Sequence, residues 1–338
     1  MKKLCLMVTV VFTVLLAACG EMSQQDVVEK LTTNLNDAKS YYATGVMEVD
    51  NNGQVYQYNV EVAYQQQDNY KVTLKNETTN NEQIILKNAD GVFVLTPALN
   101  KQFKFQSDWP LSSSQVYLYQ SLLTDILNDT EAVFESNEEA YTFETKANYH
   151  GNRDLISQKV TFDKKALTPV DVYVVDSEGE PRISMKFSSF KFDEKFEDGY
   201  FDCQQTMEYS QETMGEGVTS GQDVINVSVD ELYPAYLPEG TTLVNKQAVE
   251  IEEGQRIIMT FSGNEDFTMI QEPVTYNEAE GVESVAGEPV MINGTIGALS
   301  ENSITWVDGS VECFLVSETL ESEELVSVAA SVSNLAEK

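Results

Sequence analysis

The stretch from Glu82 to Pro110 constrains the fold of this chain more than any other. It contains three short runs that favour β-structure, Glu82–Lys87, Val92–Thr96 and Lys101–Gln106, separated by turn-forming residues. The Asp90-Gly91 pair is typical of a hairpin turn, because glycine reaches positive φ angles without a steric penalty. Apolar residues recur at every second position, so each strand has an apolar face that another part of the protein must cover.

Similar runs continue on both sides and predict an antiparallel meander of eleven strands between Tyr41 and Phe192. Two helices, Ser23–Lys39 and Ser112–Leu127, are predicted from apolar residues at helical spacing. An antiparallel sheet of this size tends to twist and curl, so we expect an unclosed half-barrel with the helices capping it. Besides the three runs above, the predicted strands are Tyr41–Asp50, Gln54–Tyr64, Asp68–Thr79, Glu131–Ser136, Ala140–Ala147, Gln158–Phe162, Pro169–Asp176 and Pro181–Phe192.

A second unit is predicted after Met207–Gly221, where the alternation stops and Gly, Ser, Thr and Glu accumulate. This composition is typical of a linker, which we place at residues 206–223, between a domain at 26–205 and another at 224–338. The second domain is predicted to be small and of the α+β class, with an acidic loop at Tyr276–Glu288 and a closing helix at Ser322–Leu335. Its predicted strands are Thr242–Ile251, Arg256–Ser262, Phe267–Glu272, Val290–Ile296, Ser303–Val307 and Val311–Ser317.

The first residues resemble a bacterial lipoprotein signal. Two lysines precede the apolar run Leu4–Leu15, which is too short to span a membrane as a helix, and Leu16-Ala17-Ala18-Cys19 matches a lipobox. The sequence therefore predicts a signal peptide at 1–18, a diacylated Cys19 and a tether at 19–25. Two acyl chains would hold the protein on the outer face of the cytoplasmic membrane. An ordinary cleaved secretory signal is the alternative.

Composition argues against several functions. The formal net charge is −34, and such an acidic chain repels phosphate backbones, so we expect no nucleic-acid partner. The chain has a single histidine, His150, and lacks the Gly-x-Ser-x-Gly and glycine-rich phosphate motifs, and its Cys and His residues form no zinc pattern. Acidic pairs are abundant, although solvated surface carboxylates account for them. We therefore expect a binding protein without cofactor or metal, rather than an enzyme.

Two cysteines, Cys203 and Cys313, remain after the predicted cleavage. Both lie in sequence contexts that resemble strands, and the predicted domain boundary separates them. We therefore expect buried free thiols that do not bridge each other, although a disulfide between chains stays open.

The order of helix, hairpins, Asn88-Ala89-Asp90-Gly91, the Pro97 turn, Phe103–Trp109 and later strands resembles the LolA/LolB/RseB-type lipoprotein-localisation fold. It is most similar to the membrane-anchored branch of spore-forming Gram-positive bacteria, which includes the germination lipoprotein GerS. The resemblance covers about Glu29 to Gln205. It implies an unclosed barrel with an apolar cavity for an acyl chain or lipoprotein, a role in sporulation or germination, and an envelope protein partner such as a cortex amidase. A regulator of the RseB kind and a lipoprotein acceptor of the LolB kind are the alternatives.

The concave face of the half-barrel is the expected binding site. Period-two residues of the strands would line it, and Trp109 with the second helix would form a lid. The alternative is that these side chains fill a dry core. The candidate lining residues are Phe93, Leu95, Phe103, Phe105, Trp109, Leu118, Leu122, Ile126, Val172, Val174, Met185 and Phe187.

Overall fold

The computed structural model describes residues 21–334 except 52, 79–80, 150–154, 215–230, 253, 275–280 and 293. Cys19 and His150 therefore lie outside the described residues. The described chain forms a 12-stranded sheet, a 7-stranded sheet and a small two-stranded pair. The large sheet is open, with free edges at both ends, which confirms the predicted unclosed half-barrel with an α+β domain after it.

The large sheet is built from two meanders, and all eleven predicted strands are present. Their bounds are β1 Ser40–Asn51, β2 Gln54–Gln65, β3 Asn69–Asn76, β4 Glu82–Asn88, β5 Gly91–Thr96, β6 Lys101–Gln106, β7 Val133–Ser136, β8 Ala140–Lys146, β9 Ser157–Asp163, β10 Pro169–Val175 and β11 Pro181–Phe192. Strands β1 to β6 lie side by side in chain order on one side of β1. On its other side, β11 pairs with β1, and β10 to β7 follow in reverse chain order toward the opposite edge. The strand order is β6-β5-β4-β3-β2-β1-β11-β10-β9-β8-β7.

Two helices lie against the concave face of this sheet. Helix α1, Gln24–Asp37, begins with a capping box in which Ser23 and Asp26 bond reciprocally, and it buries Val27 and Leu31 completely. Helix α2 covers Tyr119–Asn128. Both helices pack into one large core with the inward side chains of the strands.

The predicted start of the second helix at Ser112 is wrong. The chain before Tyr119 is irregular, because its backbone groups bond outside a helical pattern: Ser114 N–H donates to Asn148 C=O, and Gln115 N–H donates to the Ser121 hydroxyl. Leu118 is consequently the N-cap of the helix rather than a residue on its face.

A third helix, α3, covers Cys203–Met214 on the opposite, convex face of the sheet. It buries Met207 against a small second cluster formed by Ile84, Leu86, Phe93 and Leu95. The strand predicted around Cys203 is therefore wrong, and the first part of the predicted linker is helical, because burying Met207 gives this polar segment one covered face. Residues 215–223 of the predicted linker lie outside the described residues.

The C-terminal domain is an antiparallel sheet with helix α4, Ser322–Ala330, packed on it. The single strand predicted at Val290–Ile296 is two strands, because the chain turns at Gly294 with φ +78°. The closing helix is shorter than predicted, and a strand follows it. The strands are β12 Leu232–Pro234, β13 Thr242–Ile251, β14 Gly254–Ser262, β15 Phe267–Pro273, β16 Val282–Ala286, β17 Glu288–Ile292, β18 Thr295–Leu299, β19 Ser303–Asp308, β20 Val311–Val316 and β21 Val332–Asn334. The order in the C-terminal sheet is β13-β14-β15-β20-β19-β18-β17.

Strand β16 links the two domains. It lies within the predicted acidic loop, but it pairs in parallel with β6 and becomes the twelfth strand of the half-barrel sheet. Its Val285 packs against the half-barrel core, as do Met291 and Ala298 from the C-terminal sheet. Hydrogen bonds with β6 and the partial burial of Val285 stabilise β16, a strand that the composition of this segment does not predict. The division into separately folding units stays a prediction.

Candidate functional site

A cleft of about 660 Å³ lies where the half-barrel meets the C-terminal domain. Volumes of this size suit small-molecule ligands or short peptide segments. The half-barrel contributes the ends of β1, β2 and β11 and the irregular segment before α2. The C-terminal domain contributes β17, the turn at Gly294 and one side of α4. The site therefore exists only when both domains are in place.

Apolar side chains form most of the cleft wall. Trp109 is 1% exposed and rests edge-on against Tyr70, with the ring centroids 5.8 Å apart. This contact fixes the indole between the sheet and the cleft. The apolar lining residues are Met47, Val49, Tyr56, Ile85, Trp109, Val116, Tyr117, Tyr149, Leu155, Ile183, Tyr236, Pro289, Val290, Met291, Ile296, Val326 and Ala330.

The two domains touch closely around the cleft. Asn51 Nδ2 donates to the carbonyl oxygen of Ala330 at 2.6 Å. Gly294 lies so near the half-barrel that a Cβ atom there would come within 2.5 Å of the Tyr56 ring and 2.6 Å of the Tyr58 hydroxyl. Its positive φ and this close approach both require glycine. These contacts hold the C-terminal wall of the cleft against the sheet.

Charged groups are concentrated at the rim. Arg182 Nε donates to Asp176 Oδ2 at 2.7 Å, and Arg182 Nη1 lies 3.6 Å from Asp50 Oδ2. Backbone N–H donation from Glu180 and the bond from Arg182 lower the pKa of Asp176, and the bond to Asp176 raises the pKa of Arg182. The arginine is therefore held by two carboxylates of its own domain.

On the other side of the rim, helix α4 presents Glu323 and Glu324. The Tyr236 hydroxyl donates to Glu324 Oε1, and this bond raises the pKa of Tyr236 to about 12. Tyr236 therefore keeps its proton near pH 7 and stays neutral, so the charge on this side is that of the two glutamates.

A buried polar network stands behind the cleft wall. The Tyr149 hydroxyl donates to Gln158 Oε1 at 2.7 Å, and Gln158 Nε2 donates to Asp125 Oδ2 at 2.7 Å. Gln158 is completely buried. Burial raises the pKa of Asp125 to about 6, although bonds from Ser114 and Gln158 oppose the shift. The network orients the Tyr149 ring, which lines the cleft.

The structure places most of the predicted lining residues elsewhere. Phe93 and Leu95 lie on the convex face under α3, because Phe93 pairs with Lys104 while Val92 and Val94 pair with Phe105 and Phe103. Their assignment to the concave lining is wrong. Only Trp109 of the predicted set lines the cleft. The core holds Phe105, Leu118, Leu122, Ile126, Val172, Val174 and Met185, with Phe103 and Phe187 packed against it.

The cleft residues that sequence reasoning missed come mainly from strand ends and from the C-terminal domain. Met47 and Ile183 continue the period-two pattern of strands that had been predicted, so this pattern could have indicated them. Met291 and Ile296 gave no such signal, because their position depends on how two domains dock.

Both described cysteines are free thiols. Cys203 belongs to α3 and packs against the cluster under that helix, whereas Cys313 is buried in the C-terminal core. Burial raises the pKa of Cys203 to about 12 and also raises that of Cys313. Neither thiol is therefore activated as a nucleophile.

No group of three or more acidic, His or Cys side chains suited to a metal ion occurs among the described residues. In the same part of the chain, no helix combines the length and the apolar character needed to cross a bilayer.

Comparison with known proteins identifies the family. The profile of the family described as "Sporulation protein YdcC-like" matches residues 1–201. The sporulation protein YdcC of Bacillus subtilis strain 168 is 40% identical over 338 residues, covering 100% of this chain and 98% of the relative. This chain belongs to the YdcC-like family of sporulation proteins. The match with the relative extends through the C-terminal domain, so both walls of the cleft fall within the aligned region.

Solved structures similar to this YdcC-like chain are more distant. A chain of the MucA/MucB complex of Pseudomonas aeruginosa is 12% identical, with 91% of this chain and 98% of that chain covered and a TM-score of 0.33. A chain of the Clostridioides difficile CwlD amidase in complex with the GerS lipoprotein is 18% identical, with 51% and 97% covered and a TM-score of 0.29. These scores are low, and the architecture rests on the strand order and helices of this chain itself.

Proposed function

We propose that this YdcC-like protein is a membrane-anchored, non-enzymatic binding protein of the cell envelope that acts in sporulation by holding an apolar ligand or partner segment. The observation that carries the proposal is the cleft of about 660 Å³ with its mostly apolar wall. A preformed apolar cleft with a few polar groups is the usual form of a ligand site. The chemistry of the wall supports binding rather than catalysis, because its charged groups are held in ion pairs and hydrogen bonds at the rim.

The fluorescence of Trp109 offers a direct test of binding. A brominated long-chain alcohol, which is uncharged and quenches tryptophan on contact, should quench the wild-type protein in a saturable way. Trp109→Phe should abolish this response, whereas Trp306→Phe should keep it, because Trp306 lies in the separate C-terminal core.

A cleft-filling variant complements this test. Val49 is half-buried and lines the cleft, so Val49→Phe should occupy ligand space and weaken binding of the alcohol. Val55→Phe adds the same group at a side chain that is 59% exposed and outside the cleft, and it should bind as the wild type does. Equal binding by both variants, or quenching that survives Trp109→Phe, would exclude the cleft as the binding site.

The membrane anchor is proposed from Leu16-Ala17-Ala18-Cys19. Cys19→Ala should release the protein from membranes or leave it as an uncleaved precursor, because the acylated thiol is gone. Cys5→Ala removes a cysteine from the same segment and should leave fractionation unchanged. Membrane partition of Cys19→Ala identical to that of the wild type would contradict the anchor.

A further inference from the structure

The charges of the cleft indicate which ligand it accepts. Among the described residues, the lining carries one guanidinium, Arg182, and four carboxylates, Asp50, Asp176, Glu323 and Glu324. The described lining includes no lysine. Carboxylates stand on both sides of the opening, because Asp50 and Asp176 belong to the half-barrel and the two glutamates belong to α4.

The one cation does not offset this imbalance for an incoming ligand. Arg182 binds Asp176 at 2.7 Å and lies 3.6 Å from Asp50, so it offsets one of the four negative charges of the lining and three remain. Glu324 accepts a hydrogen bond from neutral Tyr236, which leaves the negative charge of the carboxylate in place. An anionic ligand would therefore meet repulsion at the opening.

On the basis of the proposed function, we propose that the ligand is a peptide segment of a partner protein with apolar side chains and a basic residue at one end. The apolar body would fill the wall around Trp109, and the basic end would lie between Asp50 and Glu324. These carboxylates are half-buried, and charge attraction is stronger there than in bulk water. The net charge of −34 attracts basic segments at longer range.

The same charges disfavour the acyl ligand that an apolar cleft alone would suggest. With its acyl chain in the cleft, a fatty acid or an anionic phospholipid would place its negative head group near the carboxylates at the opening, which would repel it. A peptide can combine apolar and basic side chains at fixed spacing, and its amide groups suit the polar wall residues Ser113, Gln115 and Ser327.

Binding to the full-length chain in phosphatidylcholine nanodiscs tests this inference. The probes are two fluorescent peptides with the same Leu, Val and Ser body, one ending in two lysines and the other in two glutamates, and a fluorescent palmitate. We expect the lysine peptide to bind about tenfold more tightly than its glutamate twin, a difference of about 1.4 kcal/mol. The preference should shrink as salt is raised, because part of the attraction is screened.

Charge-neutralising variants locate the effect. Asp50→Asn with Glu324→Gln keeps the shape and hydrogen-bond acceptors of the rim, and it should abolish most of the preference for the lysine peptide. Glu301→Gln with Glu318→Gln removes the same charge from exposed positions outside the cleft, and it should keep the preference.

The outcomes separate this inference from the function on which it rests. If palmitate or the glutamate peptide binds as tightly as the lysine peptide and Val49→Phe blocks that binding, the cleft is a ligand site but the basic-peptide inference is wrong. If Val49→Phe blocks none of the probes, the cleft does not bind them, and the proposed function fails as well.

Discussion

Gln83 and Ile296 join the two domains through a reciprocal pair of hydrogen bonds. The Ile296 N–H donates to Gln83 Oε1 at 2.6 Å, and Gln83 Nε2 donates to the Ile296 carbonyl oxygen at 3.3 Å. The Thr295 hydroxyl donates to the same Gln83 oxygen at 3.0 Å. The side-chain amide of Gln83 in β4 thus makes the hydrogen bonds that the backbone of a neighbouring strand would otherwise make with the start of β18. The cleft depends on this contact, since Ile296 is one of its lining residues.

Gln83→Ala should lower the free energy of unfolding by about 1–3 kcal/mol, because it leaves the part-buried N–H of Ile296 without its acceptor. Chemical denaturation measures the change. Gln65→Ala removes the same side chain from an exposed position at the end of β2 and should change stability by less than about 0.5 kcal/mol. Equal stabilities of the two variants would show that the pair does not hold the domains together.

Lys101 and Glu312 form a second contact between the domains, at 2.7 Å, with side chains only 11% and 14% exposed. Replacing either residue by Ala should destabilise the protein by about 2–4 kcal/mol, because the remaining charge is buried without its partner. The double variant should lose less than the sum of the single losses, and a double-mutant cycle measures that coupling.

The exposed pair Lys146–Glu131 is the control for this cycle, since its side chains are 70% and 75% exposed at a similar distance of 2.6 Å. Its removal should hardly change stability, because solvent screens exposed ion pairs. A cycle at Lys101 and Glu312 with no coupling would contradict a stabilising role for the domain contact.

Leu122 distinguishes the filled core from the cleft. It is completely buried in the half-barrel core and does not line the cleft. Leu122→Trp should therefore overpack the core and lower stability by about 1–3 kcal/mol. Leu127→Trp, at a residue of the same helix that is 55% exposed, is the matched control. A stable Leu122→Trp with reduced ligand binding would instead place Leu122 at an open site.

Local signals predicted the half-barrel well, because each of its strands pairs with a neighbour through a short turn. Lys101–Gln106 and Pro181–Phe192 are predicted and observed with identical bounds. Alternation does not reveal which face is concave, however. Both faces of β5 are buried, one by the main core and the other by α3, so Phe93 and Leu95 gave the same pattern as true lining residues would.

Strand β16, helix α3 and the location of the cleft are not predicted, because they depend on contacts between residues that are distant in the sequence. Strand β16, Val282–Ala286, has mostly exposed side chains and is held by pairing with β6. Its Val282 pairs with Gln102, which lies 180 residues earlier in the chain. Among the side chains of helix α3 that the structure describes, one apolar side chain, Met207, is strongly buried, which is too few for a helical stripe. The cleft was mislocated for the same reason, since its second wall is formed by domain docking.

Asp125 should give the protein a pH-dependent loss of stability. Burial raises its pKa from 3.8 to about 6, so the folded protein keeps the proton over a range in which the unfolded chain has released it. Where the folded state binds more protons, stability falls as pH rises. The contribution of Asp125 is therefore lost between about pH 4 and pH 6, and the loss stays constant above that range.

Asp125→Asn should remove this component, because an amide can still accept from Gln158 and carries no charge to bury. Between pH 4 and pH 7, the unfolding free energy of the variant should rise by about 1–3 kcal/mol relative to that of the wild type. Glu144→Gln, at an exposed position of β8, controls for the loss of one negative charge and should not reproduce the shift. Denaturation curves at a series of pH values measure both differences, and a difference for Asp125→Asn that is independent of pH would contradict the raised pKa.

Because Gln158 also holds Tyr149, the titration of Asp125 should perturb the cleft wall. A parallel change in ligand affinity between pH 5 and pH 7 would connect the network to binding.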